Sequence, residues 1–130
     1  MIPLMDLKAQ YRSLKPEIDA AIARVLEHTQ FIQGPEVRSF EAAFAAACDA
    51  PHAIGVASGT AAIHLAFVAL GIGPGDEVIT SAHTFIASAE PILQVGAKPV
   101  FVDVEADTGN IDPARLAEAI TPRTRAILPV

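Results

Sequence analysis

The sequence has 130 residues, the size of one ordinary domain, with 52% apolar residues, 18% charged residues and a net charge of −6. This composition supports a packed core and excludes a disordered chain, while nine scattered Lys and Arg residues argue against nucleic acid as a ligand. No apolar run approaches the roughly 20 residues of a membrane helix, and the single cysteine, Cys48, rules out an internal disulfide.

The opening residues Met1 to Asp6 carry neither the basic nor the apolar region of a signal peptide. Together with the lone cysteine, this points to a cytoplasmic protein. A first helix is expected where Leu14, Ile18, Ile22, Val25 and Thr29 recur at three- and four-residue steps, with Ser13 as N-cap and Pro16 in the first turn. Gln33-Gly34-Pro35 punctuates the chain. A second helix opens at Pro35 and lines one face with Val37, Phe40, Phe44 and Ala47.

From His52 the pattern becomes short apolar runs alternating with helices. Ala53–Ala57 reads as a strand, Thr60–Leu70 as a helix, Gly71–Gly75 as a turn and Glu77–Thr80 as a second strand. Thr84–Val95 reads as a helix that Pro91 kinks or shortens. Pro99–Asp103 is a third strand, Asp112-Pro113 starts a short helix through Ile120, and Arg125–Val130 is a fourth strand. Apolar strands separated by helices imply an α/β fold with a mostly parallel sheet and flanking helices. Residues 1–50 thus form an N-terminal helical segment and 51–130 the first part of an α/β domain. The sequence ends inside an apolar strand, so it reads as a fragment of a longer chain.

Ala57-Ser58-Gly59-Thr60-Ala61-Ala62 lies where a strand meets a helix. A helix start offers free backbone N–H groups and the positive end of the dipole. Gly59 admits close approach, and the Ser58 and Thr60 hydroxyls add hydrogen bonds, which together suit a phosphate monoester. Alternatively, Ser58 or Thr60 simply caps the helix. Neither Gly-x-Gly-x-x-Gly nor Gly-x-x-x-x-Gly-Lys-Ser/Thr occurs, so a small phosphorylated cofactor fits better than a dinucleotide or nucleoside triphosphate.

Ser81-Ala82-His83-Thr84-Phe85 follows the second strand, at the edge where open α/β sheets bind ligands. Phe85 can stack on a flat heterocycle, an interaction worth about 0.5–1.5 kcal/mol, or pack in the core. His83 is either an acid/base group or a loop histidine. No metal-ligand spacing is evident.

The segments Phe31-Ile32-Gln33-Gly34-Pro35-Glu36-Val37, Val56-Ala57-Ser58-Gly59-Thr60-Ala61-Ala62, Gly73-Pro74-Gly75-Asp76-Glu77-Val78-Ile79-Thr80 and Gly96-Ala97-Lys98-Pro99-Val100-Phe101-Val102-Asp103, with Thr84-Phe85 and Thr121-Pro122-Arg123 between and after them, resemble the DegT/DnrJ/EryC1/StrS aminotransferases in the same order. The resemblance implies pyridoxal 5'-phosphate as cofactor and a partial large domain of the fold type I (aspartate aminotransferase-like) architecture. It implies amino transfer, commonly from glutamate, to a keto-sugar nucleotide in amino-sugar biosynthesis, by a homodimer. By the same resemblance, Gly59 and Thr60, with Ser58 beside them, hold the cofactor phosphate, and Phe85 stacks on its ring.

The resemblance also implies that the Schiff-base lysine and the carboxylate on the pyridine nitrogen lie beyond residue 130. Lys8, Lys15 and Lys98 do not match that lysine, and Asp103 does not match that carboxylate. No catalytic residue is therefore assigned within the sequence. Two alternatives stay open: a dehydratase of the same family, with histidine replacing the lysine, and a catalytically inactive truncated chain.

Overall fold

The computed structural model describes residues 4–130, and the chain divides into two compact units that meet at Gly55 and Val56. In the N-terminal unit, helix α1 spans Leu7–His28 and helix α2 spans Pro35–Ala47. The first helix begins well before Ser13, because Asp6 caps it: the Asp6 side chain accepts a hydrogen bond from the Ala9 N–H at 3.0 Å. The Ser13 hydroxyl instead donates to the Gln10 carbonyl at 2.8 Å, and Pro16 sits within the helix.

The α1–α2 connection is tied at both ends. Thr29 closes α1 in the left-handed region at φ 57°. The Gln30 N–H donates to His28 Nδ1 at 3.1 Å, which places the ring proton on Nε2, 3.0 Å from the Glu36 carboxylate. That hydrogen bond holds the Glu36 carboxyl below its ordinary range. Gly34 is buried, and a Cβ there would collide with the Gln30 carbonyl oxygen. Its glycine is thus a packing requirement. Pro35 then starts α2 at a position where a missing N–H costs nothing.

The C-terminal unit is built on three parallel strands, β1 (Glu77–Ser81), β2 (Lys98–Val102) and β3 (Thr124–Leu128), in the order β2-β1-β3. Central β1 is buried along its whole length, whereas β2 and β3 are partly exposed, as edge strands are. Helices α3 (Gly59–Ala69), α4 (Glu90–Gln94) and α5 (Pro113–Ala119) complete the unit. The core joins Phe67 of α3, Ile72, Val78 of β1, Ile92 of α4 and Ala97. Ile92 and Val78 are fully buried, and burial contributes about 1.5–3 kcal/mol for each such side chain. Thr80, also fully buried, donates its hydroxyl to the Leu128 carbonyl at 2.9 Å, linking β1 to β3. Gly96 turns the chain into β2 at φ 79°, and a Cβ there would lie 3.0 Å from Pro74 Cγ.

Four expected elements differ from the structure. Ala53–Ala57 is irregular chain without a ladder partner among the described residues, and Ile54 is 81% exposed. An apolar run becomes a strand only when a neighbour accepts its hydrogen bonds. The single helix expected over Thr84–Val95 is split into a 3₁₀ turn, Ile86–Ser88, and α4, because Pro91 is accommodated only in a first turn. Strands β2 and β3 stop at Val102 and Leu128, short of Asp103 and Val130. The α/β class and the parallel sheet with flanking helices are as expected.

Candidate functional site

Ser58 stands in extended conformation immediately before α3, and its Oγ accepts the Ala61 N–H at 3.1 Å. Its carbonyl accepts the Ala62 N–H at 3.0 Å. Ser58 is therefore an N-cap, as one of the two sequence readings has it. The cap leaves other groups available. The N–H groups of Gly59 and Thr60 precede the first intrahelical bond and have no partner among the described residues. The Ser58 hydroxyl, accepting one bond, still has its own proton to donate. A Cβ built on Gly59 meets nothing within 4 Å, so the space over the turn is open. Capping and anion binding are compatible in this geometry.

Phe85 is not in the core: its side chain is 75% exposed. The turn carrying it is nevertheless well tied. Before it, the His83 N–H donates to Ser81 Oγ at 3.1 Å. After it, the Ser88 N–H donates to the Phe85 carbonyl at 3.0 Å, and the Ala89 N–H to the Ile86 carbonyl at 2.9 Å. The Thr84 and Ser88 hydroxyls share a hydrogen bond of 2.7 Å beneath the turn. Helix α3 packs against the Ile86–Ser88 turn and α4, so both candidate features belong to one packed body.

His83 is exposed and His64 lies within α3, past its first turn. Asp103 is exposed, its carboxylate accepting the Val104 N–H at 2.9 Å and its carbonyl the Asp112 N–H at 3.0 Å, a loop-holding role. Gln33 and Gly34 belong to the N-terminal unit. Lys15 pairs with Asp19 one turn along α1.

Lys98 leads to a cluster that sequence reading did not anticipate. At the N-terminal edge of the sheet, opposite the Phe85 edge, the Glu77 carboxylate receives the Thr121 hydroxyl at 2.7 Å, Arg123 Nη2 at 2.9 Å and Lys98 Nζ at 3.3 Å. The Glu77 side chain is 3% exposed, and these donors, Thr121 foremost and Arg123 next, hold its carboxyl down to about 2. The available signal was the position of Glu77 and Lys98 at the heads of parallel strands, where they become register partners.

Residues 12–130 match the DegT/DnrJ/EryC1/StrS aminotransferase family. The dTDP-3-amino-3,4,6-trideoxy-alpha-D-glucose transaminase of Streptomyces venezuelae is 54% identical over 99% of this chain and 34% of its own length. The structure of S. venezuelae DesV in complex with a ketimine intermediate superposes with a TM-score of 0.95 at 53% identity, over 98% of this chain and 34% of that one. NtdA from Bacillus subtilis, solved with bound cofactor PMP, gives a TM-score of 0.92 at 35% identity, over 98% and 30% of the two chains. The sequence thus spans about a third of the length of the relatives it matches. On the match over residues 12–130 and the shared fold, the chain belongs to the DegT/DnrJ/EryC1/StrS aminotransferase family.

Proposed function

We propose that this chain is the cofactor-binding part of a pyridoxal-phosphate-dependent aminotransferase, which moves an amino group from a donor such as glutamate to a keto-sugar nucleotide in amino-sugar biosynthesis. One observation carries the reading: the open turn at Ser58-Gly59-Thr60, with two N–H groups that have no partner among the described residues and two hydroxyls at a helix start. That donor set fits a phosphate monoester, and the helix dipole favours its charge. Pyridoxal phosphate, when bound, supplies the electron sink that amino transfer requires. Gly59 and Thr60 would hold its phosphate through their N–H groups, Ser58 and Thr60 through their hydroxyls, and Phe85 would offer a face to its ring.

On this reading residues 51–130 are the first part of the cofactor-binding domain, and 1–50 are an N-terminal helical segment. The working protein is a cytoplasmic homodimer. Supporting an assembly with further protein, α1 buries no residue, and Phe40 and Phe44 of α2 are 59% and 51% exposed. Isolated amphipathic helices gain their stability from such packing.

The test is a calorimetric titration of the chain with pyridoxal phosphate and with pyridoxal, which lacks the phosphate. The expected result is binding of the phosphorylated form, competed by inorganic phosphate, with pyridoxal weaker by about tenfold or more. Equal affinity for the two would overturn the assignment of the turn.

A further inference from the structure

We propose that Thr84 and Ser88 are positioning residues that hold the Phe85 ring out from the sheet edge in the orientation needed to stack on a flat cofactor. The proposal rests on the functional reading above. Its basis is a contrast within one turn. An apolar ring at a sheet edge gains free energy by folding back onto neighbouring apolar surface. Phe85 does not fold back: it is 75% exposed, as is Ile86 at 65%. The polar side chains on either side do the opposite, since Thr84 and Ser88 are both partly buried and bonded to each other at 2.7 Å. The hydroxyl pair thus brackets an exposed aromatic and joins the two ends of its segment.

The Thr84–Ser88 bond is separable from the turn itself. The 3₁₀ turn has its own backbone bonds, from the Ser88 N–H to Phe85 and from the Ala89 N–H to Ile86. The Ser81–His83 contact fixes the entry to the loop. Those bonds hold the Phe85 carbonyl but do not themselves tie the segment from Thr84 to the turn that follows. The hydroxyl pair spans that segment, from one residue before the ring to three after it. It pre-organises the ring, so less order has to be imposed when a ligand binds.

The experiment combines a ligand-free readout with a binding readout, on the whole chain. Backbone ¹⁵N relaxation is measured at Phe85 in the parent sequence and in Thr84→Val, Ser88→Ala and the conservative Thr84→Ser. Pyridoxal phosphate affinity is measured in the same set and in Phe85→Ala. The expected order parameter is about 0.85 in the parent, falling below about 0.6 in Thr84→Val and Ser88→Ala and recovering in Thr84→Ser. Affinity is expected to fall about three- to tenfold in the first two variants and to recover in the third. Ser88→Ala carries the test where Thr84→Val folds poorly. Unchanged order parameters in both hydroxyl-deleted variants overturn the positioning role. Lost order with unchanged affinity, in those variants and in Phe85→Ala alike, overturns instead the cofactor reading on which the proposal stands.

Discussion

Arg123 closes on Glu77 across the head of the sheet, with Nη2 at 2.9 Å and Nε at 3.2 Å from the same carboxylate oxygen. The two residues are far apart in sequence, and the contact fastens the entry of β3 to the first residue of β1. From the other side Lys98 brings in the head of β2. One carboxylate therefore gathers the starts of all three strands.

The first prediction concerns acid. Glu77 is held down to about 2 from an ordinary value of about 4.5, so the folded state favours its ionised form. Its contribution to stability is complete above about 4.5 and is lost as pH falls toward 2. Thermal melts across that window are expected to show a falling midpoint in the parent. In Glu77→Gln the midpoint starts lower and falls less. Parallel slopes for the two proteins would refute the assignment.

A second prediction concerns the core between α3, α4 and the sheet. Ile92 is fully buried against Phe67, Ile72 and Val78. Ile92→Ala is expected to cost about 2–5 kcal/mol in denaturant unfolding. The adjacent Leu93 is 62% exposed, and Leu93→Ala is expected to stay within about 0.5 kcal/mol of the parent. Similar losses for both would mean that the core is not where the packing puts it.

Local chemistry was readable without a structure. Pro35 marked the start of α2 and Asp112-Pro113 that of α5, since caps and N-terminal prolines act on their own neighbours. The Ser58-Gly59-Thr60 turn was readable for the same reason. Ala53–Ala57 misled because strand formation depends on a partner elsewhere. Phe85 was undecidable, since composition does not say whether an aromatic faces inward or outward. The Glu77 cluster depends on the register of three strands at once, which periodicity alone does not supply.

Gly34, the N-cap of α2, and Gly59, the first residue of α3, make opposite predictions. A Cβ on Gly34 collides with the Gln30 carbonyl oxygen, so Gly34→Ala is expected to destabilise by about 1–3 kcal/mol. Loss of hydrogen-exchange protection at the Arg38 N–H, which bonds to the Gly34 carbonyl at 3.3 Å, locates the damage. A Cβ on Gly59 meets nothing within 4 Å, so Gly59→Ala is expected to fold normally. It is expected to weaken pyridoxal phosphate, because the added methyl fills the space that the phosphate would occupy. A Gly59→Ala protein that binds as the parent does would place the phosphate elsewhere.

Ser58 allows its two roles to be pulled apart. Its Oγ caps α3 through the Ala61 N–H at 3.1 Å, and Ser58→Ala is expected to lower stability by about 1 kcal/mol. Aspartate is as good an N-cap as serine, so Ser58→Asp keeps the helix and the thermal midpoint. A carboxylate over the turn, however, repels a phosphate dianion and occupies the same N–H groups. Ser58→Asp is therefore expected to retain the fold and to abolish binding of pyridoxal phosphate and of inorganic phosphate alike. A capping role alone predicts the reverse order, with Ser58→Ala the more damaging change and Ser58→Asp silent in every assay.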